Sequence, residues 1–117
     1  MSRLRVLVWY RAPTADQAAL FDAYHRVSHE LAGTPGLLGN ELLRSPVDPT
    51  RLAVCSEWES LAAFRAWESG ADHRGTTAPL RRYQDPELPS PFDLLGVVAE
   101  HSGRASALDH VHQGRGS

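Results

Sequence analysis

The sequence predicts one α+β domain built in the order β-α-β-β-α-β, and three observations carry that prediction. Some segments are apolar with a period of two or a short continuous run, others repeat at helical spacing, and Gly- and Pro-containing breaks separate them in that order. A chain of 117 residues with 42% apolar side chains can bury one core and is too short for a second large domain.

Residues 3–11 are rich in β-branched and aromatic side chains and stop at Ala12 and Pro13, which predicts a strand buried on both faces at its middle. Thr14 with Gln17 forms a capping box, and Leu20, Tyr24, Val27 and Leu31 make one helical stripe, so a helix is expected from residue 14 to about residue 32. Gly33, Pro35 and Gly36 stop it. Residues 37–44 read as the second strand, and Pro46 and Pro49 stiffen the turn that follows. In residues 51–58, Leu52, Val54, Ser56 and Trp58 alternate with Ala53, Cys55 and Glu57, which gives a third strand with two recognisable faces. Ser60 can cap a short helix carrying Leu61, Phe64 and Trp67 on one side; Gly70 ends it, and Asp72 can cap a further turn or two as far as residue 82. Pro86, Pro89 and Pro91 impose an extended connection to a last strand over residues 92–99. Residues 1–101 are therefore expected to form the domain, and residues 102–117, which lack an apolar period, a disordered tail. The order is that of the ferredoxin-like split unit with an antiparallel sheet. Helices on one face of four strands leave the other face bare, and a second copy is its simplest cover, so a homodimer is expected.

All twelve basic residues are arginine, which removes Schiff-base chemistry and a phosphate-loop lysine. A formal charge of −2 leaves no basic stripe for nucleic acid. Cys55 stands alone, so neither an internal disulfide nor a cysteine-rich metal site is expected within one chain, and a cytoplasmic setting fits. No run approaches the ~20 apolar residues of a membrane span, and no nucleotide fingerprint occurs. No metal or cofactor is expected.

His73, beside the break between Gly70 and Asp72, can overhang the open end of a cavity and has an ordinary pKa suited to proton transfer near neutrality. His25 and His29 are four residues apart on the first helix, but no Glu follows His25 as a metal-binding HExxH pattern requires. His29 points away from the stripe; His25 sits at its edge, as a boundary residue or a second candidate base. Trp9, Tyr10, Trp58, Phe64, Trp67 and Phe92 supply the flat apolar surface that a polycyclic aromatic ligand needs, with core packing the competing role for Phe64 and Trp67. Arg81 or Arg82 could hold a phenolate or carboxylate.

Cys55, Ser56, Glu57, Trp58, Glu59 and Ser60, followed by Ala63, Phe64, Trp67, Ser69, Asp72 and His73 and preceded by Thr34, Pro35, Gly36 and Leu37, look familiar together. Over roughly residues 3–100 the chain resembles the antibiotic biosynthesis monooxygenase family of the dimeric α/β-barrel superfamily. The resemblance implies a cofactor-independent monooxygenase that oxidises an anthrone-type aromatic polyketide to a quinone with O2. It also implies a pocket role for Trp58 and an arginine near Arg81 or Arg82. Phe64 stands where such enzymes can carry tyrosine, Val54 where they carry a pocket asparagine, and Trp9 or Tyr10 where some carry another. The ligand histidine of the family's haem degraders falls near Thr77. Polyketide cyclases of the same superfamily are resembled in the spacing of Trp67 and His73 and more loosely in His25. The expected site is thus His73, Trp58 and His25 for catalysis and Trp9, Phe64, Trp67, Arg81 and Arg82 for substrate binding. The alternatives are a cyclase or aromatase with a histidine base, or a non-catalytic ligand-binding barrel.

Overall fold

The computed structural model describes residues 2–70, 73–88 and 92–104, with residues 73 and 74 described by their backbone alone. Strand β1 (Leu4–Arg11) leads through a 3-10 turn (Thr14–Asp16) into helix α1 (Gln17–Leu31); β2 (Leu37–Arg44) and β3 (Arg51–Trp58) form a hairpin; α2 (Leu61–Glu68), α3 (His73–Arg81) and β4 (Phe92–Gly96) complete the chain. The sheet order is β2-β3-β1-β4, with every neighbour antiparallel. This is the expected ferredoxin-like arrangement.

Register decides which side chains meet. Val6 lies opposite Ser56 and Leu94, and Val8 opposite Val54 and Phe92, so these residues share the face under the helices with Leu4, Tyr10, Leu52 and Trp58. Two buried clusters fill that layer. Tyr10, Leu20, Ala23, Val27, Leu52 and Leu80 pack beneath α1 and α3, and Leu4, Val6, Trp58 and Phe64 pack beneath α2. Between Leu37 and Gly39 the β2–β3 pairing slips by one residue at a bulge, beyond which Asn40 faces Ser56 and Leu42 faces Val54.

Three expectations change in detail. Thr14 makes no capping hydrogen bond. Gln17 is instead buried, donating from Nε2 to the carbonyls of Ala12 (3.1 Å) and Pro49 (2.6 Å) and accepting from Arg44 (3.0 Å), so it ties the start of α1 to the hairpin. The last strand ends at Gly96, before the almost fully exposed Val98. The middle of β1 is not buried on both faces: Val6 is buried under the helices, whereas Leu7 and Trp9 on the other face, and Val8 between them, stay partly exposed. The Ser60 cap is as read, its Oγ accepting from the Ala63 N–H at 3.1 Å. Asp72 and most of the tail lie outside the described residues.

Candidate functional site

Between the helices and the inner face of the sheet lies a cavity of about 200 Å³. Its apolar wall comes from the alternation of β1 and β3, which turns Val6, Val8, Val54 and Trp58 inward, and from Phe64 and Trp67 on successive turns of α2. Trp58 is 1% exposed and packs edge-on to Phe64 with ring centroids 5.5 Å apart, while Trp67 stacks tilted against it at 5.3 Å. The three rings serve core and cavity at once. Phe92 closes the wall from β4.

Polar groups are gathered at two places. At one, α3 brings Thr77 and Arg81 to the lining, with Arg81 Nη2 donating to Thr77 Oγ1 at 2.9 Å. Tyr10 lies there too, its phenol pushed above the usual tyrosine range by burial, with the Arg81 charge acting against the rise. Gln84, bridged to Tyr10 through the backbone, adds a carboxamide. At the other place, Asn40 of β2 accepts through Oδ1 from the Tyr24 hydroxyl and from Ser28 Oγ at 3.3 Å. Tyr24 and Ser28 are one helical turn apart and so share a face of α1. Ser56, across the sheet from Asn40, accepts from Trp58 Nε1 at 3.0 Å.

The expected site residues divide accordingly. Trp58, Phe64, Trp67 and Arg81 come together on the cavity. Trp9 does not: alternation places it on the opposite face of the sheet, its indole donating to Asp93 at 3.0 Å and its ring lying 4.6 Å beneath the Arg51 guanidinium. Of the two first-strand residues the resemblance offered, Tyr10 is the one that lines the cavity. His25 is exposed, one position past the inward-facing Tyr24, and its ring rests against the edge of the tyrosine at 5.2 Å. Arg82 is likewise exposed, over the Tyr83 ring at 5.2 Å, because α3 ends at Arg81. His73 is the first residue of α3, one turn before Thr77, and its side chain lies outside the described residues. Asn40, Ser28, Ser56 and Gln84 were not anticipated. Alternation along β3 signals Ser56, whereas the bulge hides Asn40 from any count by twos. Among the described residues, no group of three or more His, Cys, Asp and Glu side chains is placed to hold a metal ion, and no helix is long and apolar enough to cross a membrane.

The sequence profile of the family described as "Antibiotic biosynthesis monooxygenase" matches residues 4–78. Protein SchA of Streptomyces halstedii is 33% identical over 106 residues, a match covering 91% of this chain and 28% of that protein. The chain therefore spans little more than a quarter of that relative. A haem oxygenase (mycobilin-producing) of Mycobacterium tuberculosis is 42% identical over 57 residues, which cover 46% of this chain and 53% of that one. Among solved structures, SnoaB of Streptomyces nogalater, described as a cofactor-independent oxygenase, superposes with a TM-score of 0.65 at 17% identity, covering 87% of this chain and 97% of that one. At that identity the likeness is one of fold.

Proposed function

The chain belongs to the antibiotic biosynthesis monooxygenase family, and from that premise we propose that it is a cofactor-independent oxygenase acting on an anthrone-type aromatic polyketide. One observation carries the reading: the cavity combines a wall of aromatic rings with hydrogen-bonding groups at two separate places. A volume of about 200 Å³, below the roughly 300 Å³ at which drug-sized sites begin, favours a flat, compact ligand. The likeness to SnoaB in fold supports the reaction class.

In this reaction a base removes a methylene proton from the anthrone, and the negative charge spreads onto the ring carbonyl oxygen. The carbanion supplies two electrons to O2 and forms the carbon–oxygen bond. The protonated peroxide then loses water as its O–O bond breaks and the second methylene proton leaves, giving the quinone. One O2 yields one quinone and one water. The protein contributes desolvation, orientation and stabilisation of the anion. We assign the base to His73, at the start of the helix that carries Thr77 and Arg81 to the cavity. Arg81, one turn beyond Thr77 on that helix, adds a positive charge to the cavity lining.

The similarity to a haem oxygenase makes haem the second reading. The cavity fits it less well: the described lining residues include no histidine, cysteine or methionine, burial holds the Tyr10 phenol protonated, the Tyr24 hydroxyl is engaged by Asn40, and Thr77 stands where the resemblance placed the histidine.

Oxygen uptake with an anthrone substrate in chelator-treated buffer tests the proposal, with one O2 consumed per quinone formed. Substrate turnover without oxygen uptake would indicate the cyclase chemistry instead. His73→Ala should lower turnover by ~10²-fold or more, the usual effect of losing a general base, while the fold is kept. Full activity in that variant would move the base elsewhere.

A further inference from the structure

Two side chains on the cavity floor have their acceptor atoms occupied and their donors unspent. Asn40 Oδ1 receives the Tyr24 and Ser28 hydroxyls, an arrangement that turns its amide nitrogen away from α1. Ser56 Oγ receives the Trp58 indole N–H at 3.0 Å. Among the described residues, neither the Asn40 N–H groups nor the Ser56 O–H donates to a protein acceptor, although both residues line the cavity. They are directly paired across β2 and β3, which sets their side chains about 5 Å apart on one face. Each hydrogen bond from the surrounding protein thus points towards this pair and none leads away.

We propose that Asn40 and Ser56 form a two-donor site for a single oxygen of the bound ligand, the carbonyl oxygen that becomes anionic when the ring system is deprotonated. The proposal rests on the aromatic substrate class inferred above and adds which atom is recognised and where. Donors fixed in place before the charge develops cost no reorganisation when it does. The polarised chains from Tyr24, Ser28 and Trp58 strengthen both donors. The site requires an acceptor, so it selects a ketone or phenolate over a hydrocarbon of the same shape, which would leave two desolvated donors unpaired.

The test compares two flat tricycles, 9-fluorenone and fluorene, which differ in a carbonyl against a methylene, by titrating tryptophan fluorescence of the full chain. The expected result is a preference for fluorenone of about tenfold, the range of one or two net hydrogen bonds. Asn40→Leu and Ser56→Ala should each remove most of that preference while fluorene affinity stays within a few-fold. Tyr24→Phe, which frees the Asn40 amide to turn, should reduce it partly. If Asn40→Leu does not fold, as judged by its melting curve, Ser56→Ala and Tyr24→Phe decide the question. Equal binding of the two tricycles by the parent chain, or a preference unaltered in the folded variants, would overturn the donor pair and leave the aromatic cavity standing. If neither tricycle binds, the donor pair and the aromatic substrate class fall together.

Discussion

A buried phenol makes Tyr10 a sensor of alkaline pH. Its side chain reaches the cavity from the central strand, and burial raises its pKa above that of an ordinary tyrosine, about 10. As pH climbs past that ordinary value, the unfolded chain gives up the proton while the folded chain keeps it. The unfolded state then binds fewer protons, and stability falls with rising pH. The stabilising contribution is complete below pH ~10 and declines above it. Melting temperatures between pH 9 and 11 should therefore fall more steeply for the parent than for Tyr10→Phe, and identical slopes would refute the assignment. The same residue shows what the sequence could settle. Alternation along β1 tells Tyr10 from Trp9 only once it is known which face the helices cover. Trp58, Phe64 and Trp67 were legible because a strand period and a helical stripe both point them at one core. His25 is exposed while Tyr24 reaches the cavity, because one position along α1 separates the cavity side from solvent, a difference that the edge of a helical stripe does not resolve.

At the scale of elements, two irregularities do more for the site than the regular structure. The bulge between Leu37 and Gly39 puts Leu37 and Asn40, which are of opposite parity in the chain, on the same face of the sheet. Without it Asn40 would pair with Cys55 and take the outer face that Glu41 now occupies, since a one-residue slip reverses every side chain. Gly39, at the slip, is the one sequence signal of the bulge, since an isolated glycine inside a strand pattern suggests one; it does not fix the register, so the asparagine stayed hidden although both strand ranges were readable. The second irregularity is the turn before β2. Gly33 and Gly36 both have positive φ, +84° and +83°, which costs an L-residue about 1–2 kcal/mol. They differ in surroundings: a Cβ at Gly33 would meet open space, whereas one at Gly36 would collide with the Ala63 side chain on α2. Gly36 also accepts from the Glu59 N–H at 2.8 Å, which locks the turn to the end of β3. Gly33→Ala should therefore cost only the backbone penalty. Gly36→Ala adds overpacking, for a total of roughly 2–5 kcal/mol by urea unfolding. Equal losses in the two variants would mean that α2 yields freely.

The molecule as a whole leaves one side of its sheet unfinished. Facing away from the helices are Leu7, Trp9, Ala53 and Cys55, with Leu43 and Leu95 exposed at 42% and 55%. Burial raises the pKa of the Cys55 thiol even in the single chain. Charges of both signs border this apolar strip: Arg5 meets Glu57 at 3.1 Å, Asp93 accepts from the Trp9 indole, and Glu41 is exposed beside Leu43. A face with an apolar centre and both signs of charge at its edges is complementary to itself, which suits an isologous contact of two copies related by a two-fold axis. We therefore expect light scattering at micromolar concentration to give about twice the chain mass, and a melting temperature that rises with protein concentration. Leu43→Arg and Leu95→Arg place charge in the strip without touching the cavity lining. They should shift the mass towards the single chain and flatten that concentration dependence. A parent chain that scatters as a monomer across the range would show that this face is stable in water, and that the cavity is complete within one copy.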